Sequence, residues 1–320
     1  MITIAGTGAF GTALAISLAS DGTPVFLWGR DAEQTQSMQI MRSNARHLPD
    51  TRLPDSVVVS SDFDTIPALS PVLLSVPMQQ LRSVVSRHQK TLRDHPLIAC
   101  CKGIELETGK SAPGVLADIL PDATRAILTG PSFAADIAHG LPTALTLASD
   151  DKGEGRALQQ ALTRPNLRIY RSGDTTGAAL GGALKNVMAI AAGAVVGAGL
   201  GESARAALMT RGYAEMQRMA IALGAQPDTL AGLSGFGDLV LTCTSDKSRN
   251  MRYGYALGRN ESFDQTATVE GVATARAVDA RAKELGIDMP ITAAVVTMLD
   301  GTLKLPEVME MLLARPLKEE

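Results

Sequence analysis

The sequence predicts an α/β protein in two domains: a doubly wound, mostly parallel sheet over residues 1–172, then an all-helical domain over residues 173–320. Three observations predict it. The chain starts on an apolar β-branched run, Met1 to Ala5, that ends in Gly6-Thr7-Gly8-Ala9-Phe10-Gly11 and passes directly into a stretch of helix formers. Further apolar runs then alternate with polar or helix-like segments as far as Ser172. From Asp174 the strand signals stop and long helical runs take over. A chain of 320 residues is long for one core, and a hydrophobic fraction of 45% is enough to build two.

The glycine turn is the first element with chemistry. Gly6 permits a tight bend, Gly8 lets backbone approach a pyrophosphate, and Gly11 lets the following helix sit close to the sheet. Free N–H groups and the helix dipole favour the anion there. A strand before and a helix after make this a Rossmann-type dinucleotide fingerprint rather than an ordinary glycine turn. The next strand, Pro24 to Trp28, ends in Gly29-Arg30-Asp31, where such folds meet the adenosine ribose. An acid would accept from a 2′-hydroxyl, whereas an arginine pairs a 2′-phosphate, so Arg30 favours NADP, unless it is a solvated arginine beside Asp31 at a helix start.

Val57 to Val59, Val72 to Val76 and Leu97 to Cys100 continue the sheet, with Pro77 opening a helix. Cys101-Lys102-Gly103-Ile104-Glu105 and Gly130-Pro131-Ser132-Phe133-Ala134 both follow strands and land on the same sheet edge. Lys102 could hold a substrate anion there or simply solvate the surface, and Ser132 reads as a helix N-cap. Thr143 to Ala148 and Leu167 to Tyr170 complete the sheet.

In the second half, Gly177 to Gly201 is nearly all apolar or small, yet it carries seven glycines and Lys185-Asn186 near its middle. Those residues argue for a helix packed inside protein rather than a membrane span. A lysine in such a run is used, paired, or snorkels to water. Small residues one turn either side of Lys185 leave room for a ligand, and a buried lysine gives up its proton readily enough to act as a general acid. His47, His88, His95 and His139 stand in polar or helix-like segments and read as surface or loop residues. Gly232-Leu233-Ser234-Gly235-Phe236-Gly237-Asp238-Leu239 reads as a glycine-rich loop whose acid caps the next helix, with Thr242 one turn on. Ser248-Arg249-Asn250 could bind phosphate if a helix starts there or be a capped, solvated helix start, and Val269-Glu270-Gly271-Val272 opens another helix. Helices from Pro290 to Asp300 and Pro306 to Arg315 end the chain.

Composition narrows the partners. A net charge of −3 without a basic block gives no reason to expect nucleic acid. The start lacks a signal-peptide pattern, which points to the cytoplasm. Cys100, Cys101 and Cys243 have no metal-ligand spacing and read as reduced structural thiols, with no metal expected.

These motifs, in this order, resemble the bacterial NAD(P)-dependent sn-glycerol-3-phosphate dehydrogenase family from residue 1 to about residue 300. The resemblance implies reversible reduction of dihydroxyacetone phosphate to sn-glycerol 3-phosphate, for glycerophospholipid synthesis, with NADP and also NAD as cofactor. Carried over by position, Lys185 is the general acid/base, with Lys102 and Asp238 beside it in the catalytic set. Lys102, Gly130, Ser132, Lys185, Asp238, Ser248, Arg249 and Asn250 match substrate positions. Gly6, Gly8, Phe10, Gly11, Arg30, Lys102, Ala134, Arg249 and Glu270 match cofactor positions. A homodimer without membrane insertion is implied in the same way. Ala9-Phe10 stands where the family usually has serine-tryptophan, and Thr268 where it often has valine.

Overall fold

The computed structural model describes residues 1–264, 267–303 and 305–314. The chain forms two compact units, Met1–Lys102 with Lys110–Ala179, and Gly103–Gly109 with everything from Leu180 on.

The first unit is built on ten strands: β1 (Ile2–Ala5), β2 (Val25–Trp28), β3 (Ser43–Asn44), β4 (Leu48–Arg52), β5 (Val57–Ser60), β6 (Val72–Leu74), β7 (Leu97–Ala99), β8 (Arg125–Thr129), β9 (Thr143–Ser149) and β10 (Leu167–Ser172). Eight form one sheet in the order β10-β9-β8-β7-β6-β1-β2-β5. Every neighbouring pair in it is parallel except β8 and β9. Near-continuous apolar runs follow from burial on both faces. Leu27, Leu73, Ile98 and Leu128 pack on one side, and Trp28, Leu74, Ala99 and Ile127 on the other.

From β1 the chain winds outward through β2 to β5, then crosses back to β6 and winds the other way. The switch point therefore lies between β1 and β6, at the carboxyl end where ligands of such sheets bind. The glycine turn sits there. An antiparallel hairpin of β3 and β4 stands between the helix Ala32–Met41 and β5, in a stretch too short and polar to register as strands by alternation.

The predicted boundary at Ser172 and the division at Ala179 differ by the first turn of the helix Thr175–Gly197, because Ala178 and Ala179 pack in the first unit's core. That helix is long and apolar enough to cross a membrane by length and composition, but it is buried along almost its whole length inside protein. Its glycines explain how. A Cβ on Gly193 would lie 2.0 Å from the Met251 carbonyl oxygen, and one on Gly197 2.2 Å from that of Tyr255. Reciprocally, a Cβ on Gly254 would lie 1.9 Å from the Ile190 oxygen, and one on Gly258 2.2 Å from that of Ala194. Glycines four apart on both helices thus let Thr175–Gly197 and Arg249–Gly258 cross backbone to backbone. Each glycine costs about 1 kcal/mol of helix propensity against alanine, so close packing has to outweigh it.

Around the core helix stand Glu202–Ala222, Asp238–Thr244, Glu270–Leu285 and Pro290–Leu299. The last has no side-chain cap of its own at Met289. Buried Glu215 supplies one from another helix, accepting from Ile291 N at 2.5 Å and from Thr292 N and Oγ1 at 3.1 Å each. The final helix is Leu305–Leu313, and the predicted end at Arg315 lies outside the described residues.

One expectation is refined and one corrected here. His95 lies in a loop, as expected, but is buried, with Nδ1 2.8 Å from the Ser70 carbonyl oxygen. Ser132 does not cap the helix Ala134–Ala138, whose N-cap is Phe133; its hydroxyl turns back to the Gly130 carbonyl instead.

Candidate active site

At the glycine turn each residue has a distinct geometric reason. Gly6 has φ +128°, and a Cβ on it would lie 2.3 Å from the Ser75 carbonyl oxygen at the end of the β6 connection. A Cβ on Gly11 would lie 2.0 Å from the Gly6 oxygen, so the helix Ala9–Leu18 packs against the turn only with glycine there. Gly8 differs: a Cβ would meet nothing within 4 Å, and this residue is the helix N-cap without a side-chain cap bond. Open space beside a helix N-terminus fits a pyrophosphate. Asn44, which no sequence signal singled out, is 1% exposed and donates from Nδ2 to the Thr7 carbonyl and to Thr12 Oγ1, each at 2.8 Å. Phe10 and Ala134 pack against one small cluster with Ala13 and Ile137.

At the tip of β2, Asp31 is the N-cap of the helix Ala32–Met41 and accepts from Gln34 N at 3.0 Å. That holds its carboxylate on the helix end. Arg30 beside it is exposed, with Nη1 3.4 Å from Gln80 Oε1, a neutral partner that leaves its charge in place.

On the carboxyl edge of the same sheet, Lys102 Nζ donates to the Gly130 carbonyl at 2.9 Å, and Ser132 Oγ donates to it at 3.2 Å. Gly130 has φ +139°, with Leu145 and Ala144 pressed against its α-carbon side, so no larger residue turns the chain there. Three predicted substrate residues therefore meet at one carbonyl.

In the second unit, Lys185 is 6% exposed at the middle of its helix, and Asp238 is fully buried. Lys185 Nζ donates to Asp238 Oδ1 at 2.6 Å and to Thr242 Oγ1 at 2.7 Å, and the Thr242 hydroxyl lies 3.3 Å from Asp238 Oδ1. Burying this ammonium is tolerable because a carboxylate and a hydroxyl replace its water. Asp238 therefore stands beside Lys185, as the family resemblance implied, and does not take the capping role its position also allowed. It is the first residue of the helix Asp238–Thr244, whose N-cap is Gly237, and its carboxylate is turned to Lys185. The expected glycine loop is one π-helical turn, Leu233–Gly237. Space beside Lys185 is also reassigned: a Cβ on Gly181 would lie 2.5 Å from the Ser234 carbonyl, so its smallness admits that turn rather than a ligand. Next to Thr242, burial pushes the Cys243 thiol up to about 12, with the Lys185 charge opposing the rise, so it is an inert neighbour.

One residue on, Asn186 Oδ1 accepts from Asn250 Nδ2 at 3.0 Å, and Asn250 Oδ1 accepts from Gly271 N at 2.9 Å. Gly271 has no room for a Cβ, which would lie 2.7 Å from the Asn186 oxygen. These contacts fix the starts of two helices, Arg249–Gly258 and Glu270–Leu285, and with them Arg249 and Glu270. A helix does start where the phosphate motif required one. Ser248 is its N-cap, accepting from Met251 N at 3.2 Å, and Arg249 is exposed at the first helical position.

The structure thus gathers the candidates into separate groups: the glycine turn with Phe10 and Ala134; Lys102 with Gly130 and Ser132; Lys185 with Asp238; and Ser248, Arg249, Asn250 and Glu270. Among the described residues, no group of three or more histidine, cysteine or carboxylate side chains could hold a metal ion.

The chain is similar to known proteins along almost its whole length. Residues 1–154 match the family model for the NAD-dependent glycerol-3-phosphate dehydrogenase N-terminus, and residues 174–310 match that for its C-terminus. A glycerol-3-phosphate dehydrogenase [NAD(P)+] from Ruegeria sp. (strain TM1040) is 57% identical over 319 residues, covering 100% of this chain and 99% of its own. A protein of the same name from Cereibacter sphaeroides is 56% identical over 320 residues, covering 100% of both. The crystal structure of glycerol-3-phosphate dehydrogenase from Coxiella burnetii superposes with a TM-score of 0.93 at 35% identity, covering 98% of each chain.

Proposed function

The chain belongs to the NAD-dependent glycerol-3-phosphate dehydrogenase family, and on that premise we propose that it interconverts dihydroxyacetone phosphate and sn-glycerol 3-phosphate. NADPH is the preferred reductant and NADH the alternative, and the product feeds glycerophospholipid synthesis. The observation that carries the catalytic reading is the buried lysine held by one carboxylate and one hydroxyl.

When bound, the nicotinamide cofactor supplies the hydride. Lys185 acts as general acid: its Nζ gives a proton to the ketone oxygen as charge develops there, and takes it back in the reverse direction. Asp238 and Thr242 hold Nζ in one position, so little reorganisation is needed at the moment of reaction. Lys102, Gly130 and Ser132 contact the substrate, with Lys102 also serving the cofactor. Ser248, Arg249 and Asn250 hold the phosphate, remote from the reacting carbon, where binding energy orients the ketone. Gly6, Gly8 and Gly11 would take the pyrophosphate of the dinucleotide, Arg30 its 2′-phosphate, and Phe10, Ala134, Arg249 and Glu270 further cofactor contacts. On this reading residues 1–172 bind the dinucleotide and residues 173–320 bind the substrate. A cytoplasmic homodimer completes the proposal, on the family resemblance alone.

The test is cofactor oxidation by the purified protein with dihydroxyacetone phosphate, using NADPH and NADH separately and unphosphorylated dihydroxyacetone as control. Turnover that requires the phosphate and favours NADPH is expected. Lys185→Ala should abolish turnover while still binding NADPH; near-normal turnover in that variant removes the catalytic assignment.

A further inference from the structure

We propose that Asn44 is a positioning residue of the dinucleotide site, holding the Thr7–Gly8 peptide so that the Gly8 N–H stays turned toward the pyrophosphate. The inference rests on the reading of the glycine turn given above. Asn44 lies in β3, outside the turn, yet its side chain is buried and fully directed: Nδ2 donates to the Thr7 carbonyl and to Thr12 Oγ1 at 2.8 Å each, and Oδ1 accepts from His47 N at 3.2 Å. Thr7 precedes Gly8 and Thr12 follows Gly11, so one amide group grips the turn at both ends.

The physical consequence follows from peptide planarity. In a trans peptide the C=O of one residue and the N–H of the next point in opposite directions. Fixing the Thr7 oxygen on Asn44 therefore fixes the Gly8 N–H on the side away from Asn44. Glycine at position 8 leaves that peptide freer to rotate than a larger residue would, so a side-chain anchor on the Thr7 carbonyl matters. The space around Gly8 is open, and its carbonyl already accepts from Thr12 N at 3.0 Å, so the helix start is set while its first N–H groups face a ligand. The hairpin of β3 and β4 acquires a role by this argument: it carries the amide that orients the turn.

The prediction has a signature that separates it from a merely structural anchor. NADPH and NADH share the pyrophosphate, so loss of Asn44 weakens both equally, whereas loss of Arg30 weakens NADPH alone. Direct binding of each cofactor, followed by quenching of protein fluorescence, is measured for wild type, Asn44→Ala and Asn44→Asp, with steady-state kinetics and thermal unfolding on the same samples. An ionised aspartate keeps the size of asparagine but cannot donate to the Thr7 carbonyl. The expected result is a parallel rise in Kd for both cofactors in both variants, by about tenfold or more, since each variant loses the hydrogen bond to the Thr7 carbonyl and alanine also loses those to Thr12 and His47. At saturating cofactor, kcat and the KM for dihydroxyacetone phosphate change less than about twofold.

Unchanged Kd values with only a lower unfolding temperature would reduce Asn44 to a hairpin anchor, and a loss confined to NADPH would also overturn the proposal. Should Asn44→Ala fail to fold, the isosteric aspartate variant decides between the same outcomes. Wild-type protein that binds neither dinucleotide would overturn the functional reading itself, and with it this role.

Discussion

Replacing Asp238 by asparagine removes the charge that faces Lys185 while keeping size and shape. Asp238 is fully buried, its Oδ1 lies 2.6 Å from Lys185 Nζ, and Lys185 is only 6% exposed. Asparagine can still accept from the ammonium, and Thr242 remains at 2.7 Å, so part of the solvation survives. The lost part is the counter-charge. Breaking a buried ion pair from one side costs about 3–5 kcal/mol if the remaining charge stays, and less if that group sheds its proton. For a cooperative unit of roughly 150–250 residues 1 kcal/mol corresponds to about 2–4 °C, so if the second unit unfolds as one, Asp238→Asn should lower its unfolding temperature by about 6 °C or more near neutral pH. Raising the pH should narrow the gap, because a lysine without its counter-charge is easier to neutralise. Activity should change in the same sense. The alkaline limb of the ketone-reduction profile should move to lower pH, and kcat at neutral pH should fall by about a hundredfold or more, the scale of a mispositioned general acid. Scanning calorimetry across pH and steady-state kinetics in the same buffers test both arms. An asparagine variant with wild-type stability and an unmoved pH–rate profile would refute the reasoning, since Lys185 would then not depend on this charge.

Other changes probe the scaffold and the cofactor end. Gly254→Ala places a methyl group 1.9 Å from the Ile190 carbonyl oxygen and should push the two helices apart, costing about 3 kcal/mol or more, visible as a large fall in the denaturant midpoint. Glu215→Ala orphans the first N–H groups of the helix Pro290–Leu299 and should cost about 2–4 kcal/mol by chemical denaturation. Burial raises the Glu215 carboxyl above its ordinary 4.5, against the opposing hydrogen bonds from Ile291 and Thr292. Folding therefore favours its protonated form, and its contribution should decline as pH rises from 4.5 through the raised value; a Glu215→Gln series that keeps the wild-type slope would contradict this. Arg30→Ala should weaken NADPH by about tenfold or more while leaving NADH near its starting affinity, measured as the ratio of kcat/KM for the two cofactors.

Much of the site was legible because its signals are local. Glycines at the spacing of Gly6, Gly8 and Gly11 between an apolar strand and a helix constrain backbone within six residues, and the structure gives Gly6 and Gly11 a steric reason while leaving open space at Gly8. Ser248 before a helical run is likewise a local signal, and it is a helix cap. Local signals stay ambiguous where two local solutions compete and only distant partners decide. Ser132 and Asp238 both stand at helix starts, where capping is the default. Ser132 finds the Gly130 carbonyl instead, and Asp238 finds a lysine 53 positions away, the partner that the family resemblance implied. That the loop residue His95 is buried follows from no local pattern; the Ser70 carbonyl receives it inside the fold.

The sequence by itself determined the architecture, the dinucleotide turn and the residues able to carry the chemistry, because periodicity, glycine stereochemistry and ionisable groups act at short range. Tertiary structure alone decided what the core helix glycines are for, since nothing in Gly193 or Gly197 names Met251 and Tyr255 as the backbone they admit. It also decided that Asn44, in a stretch without strand pattern, reaches Thr7 and Thr12 more than thirty positions earlier. Long-range hydrogen bonds and close backbone crossings leave no periodic trace along a chain, and they become visible only when it is folded.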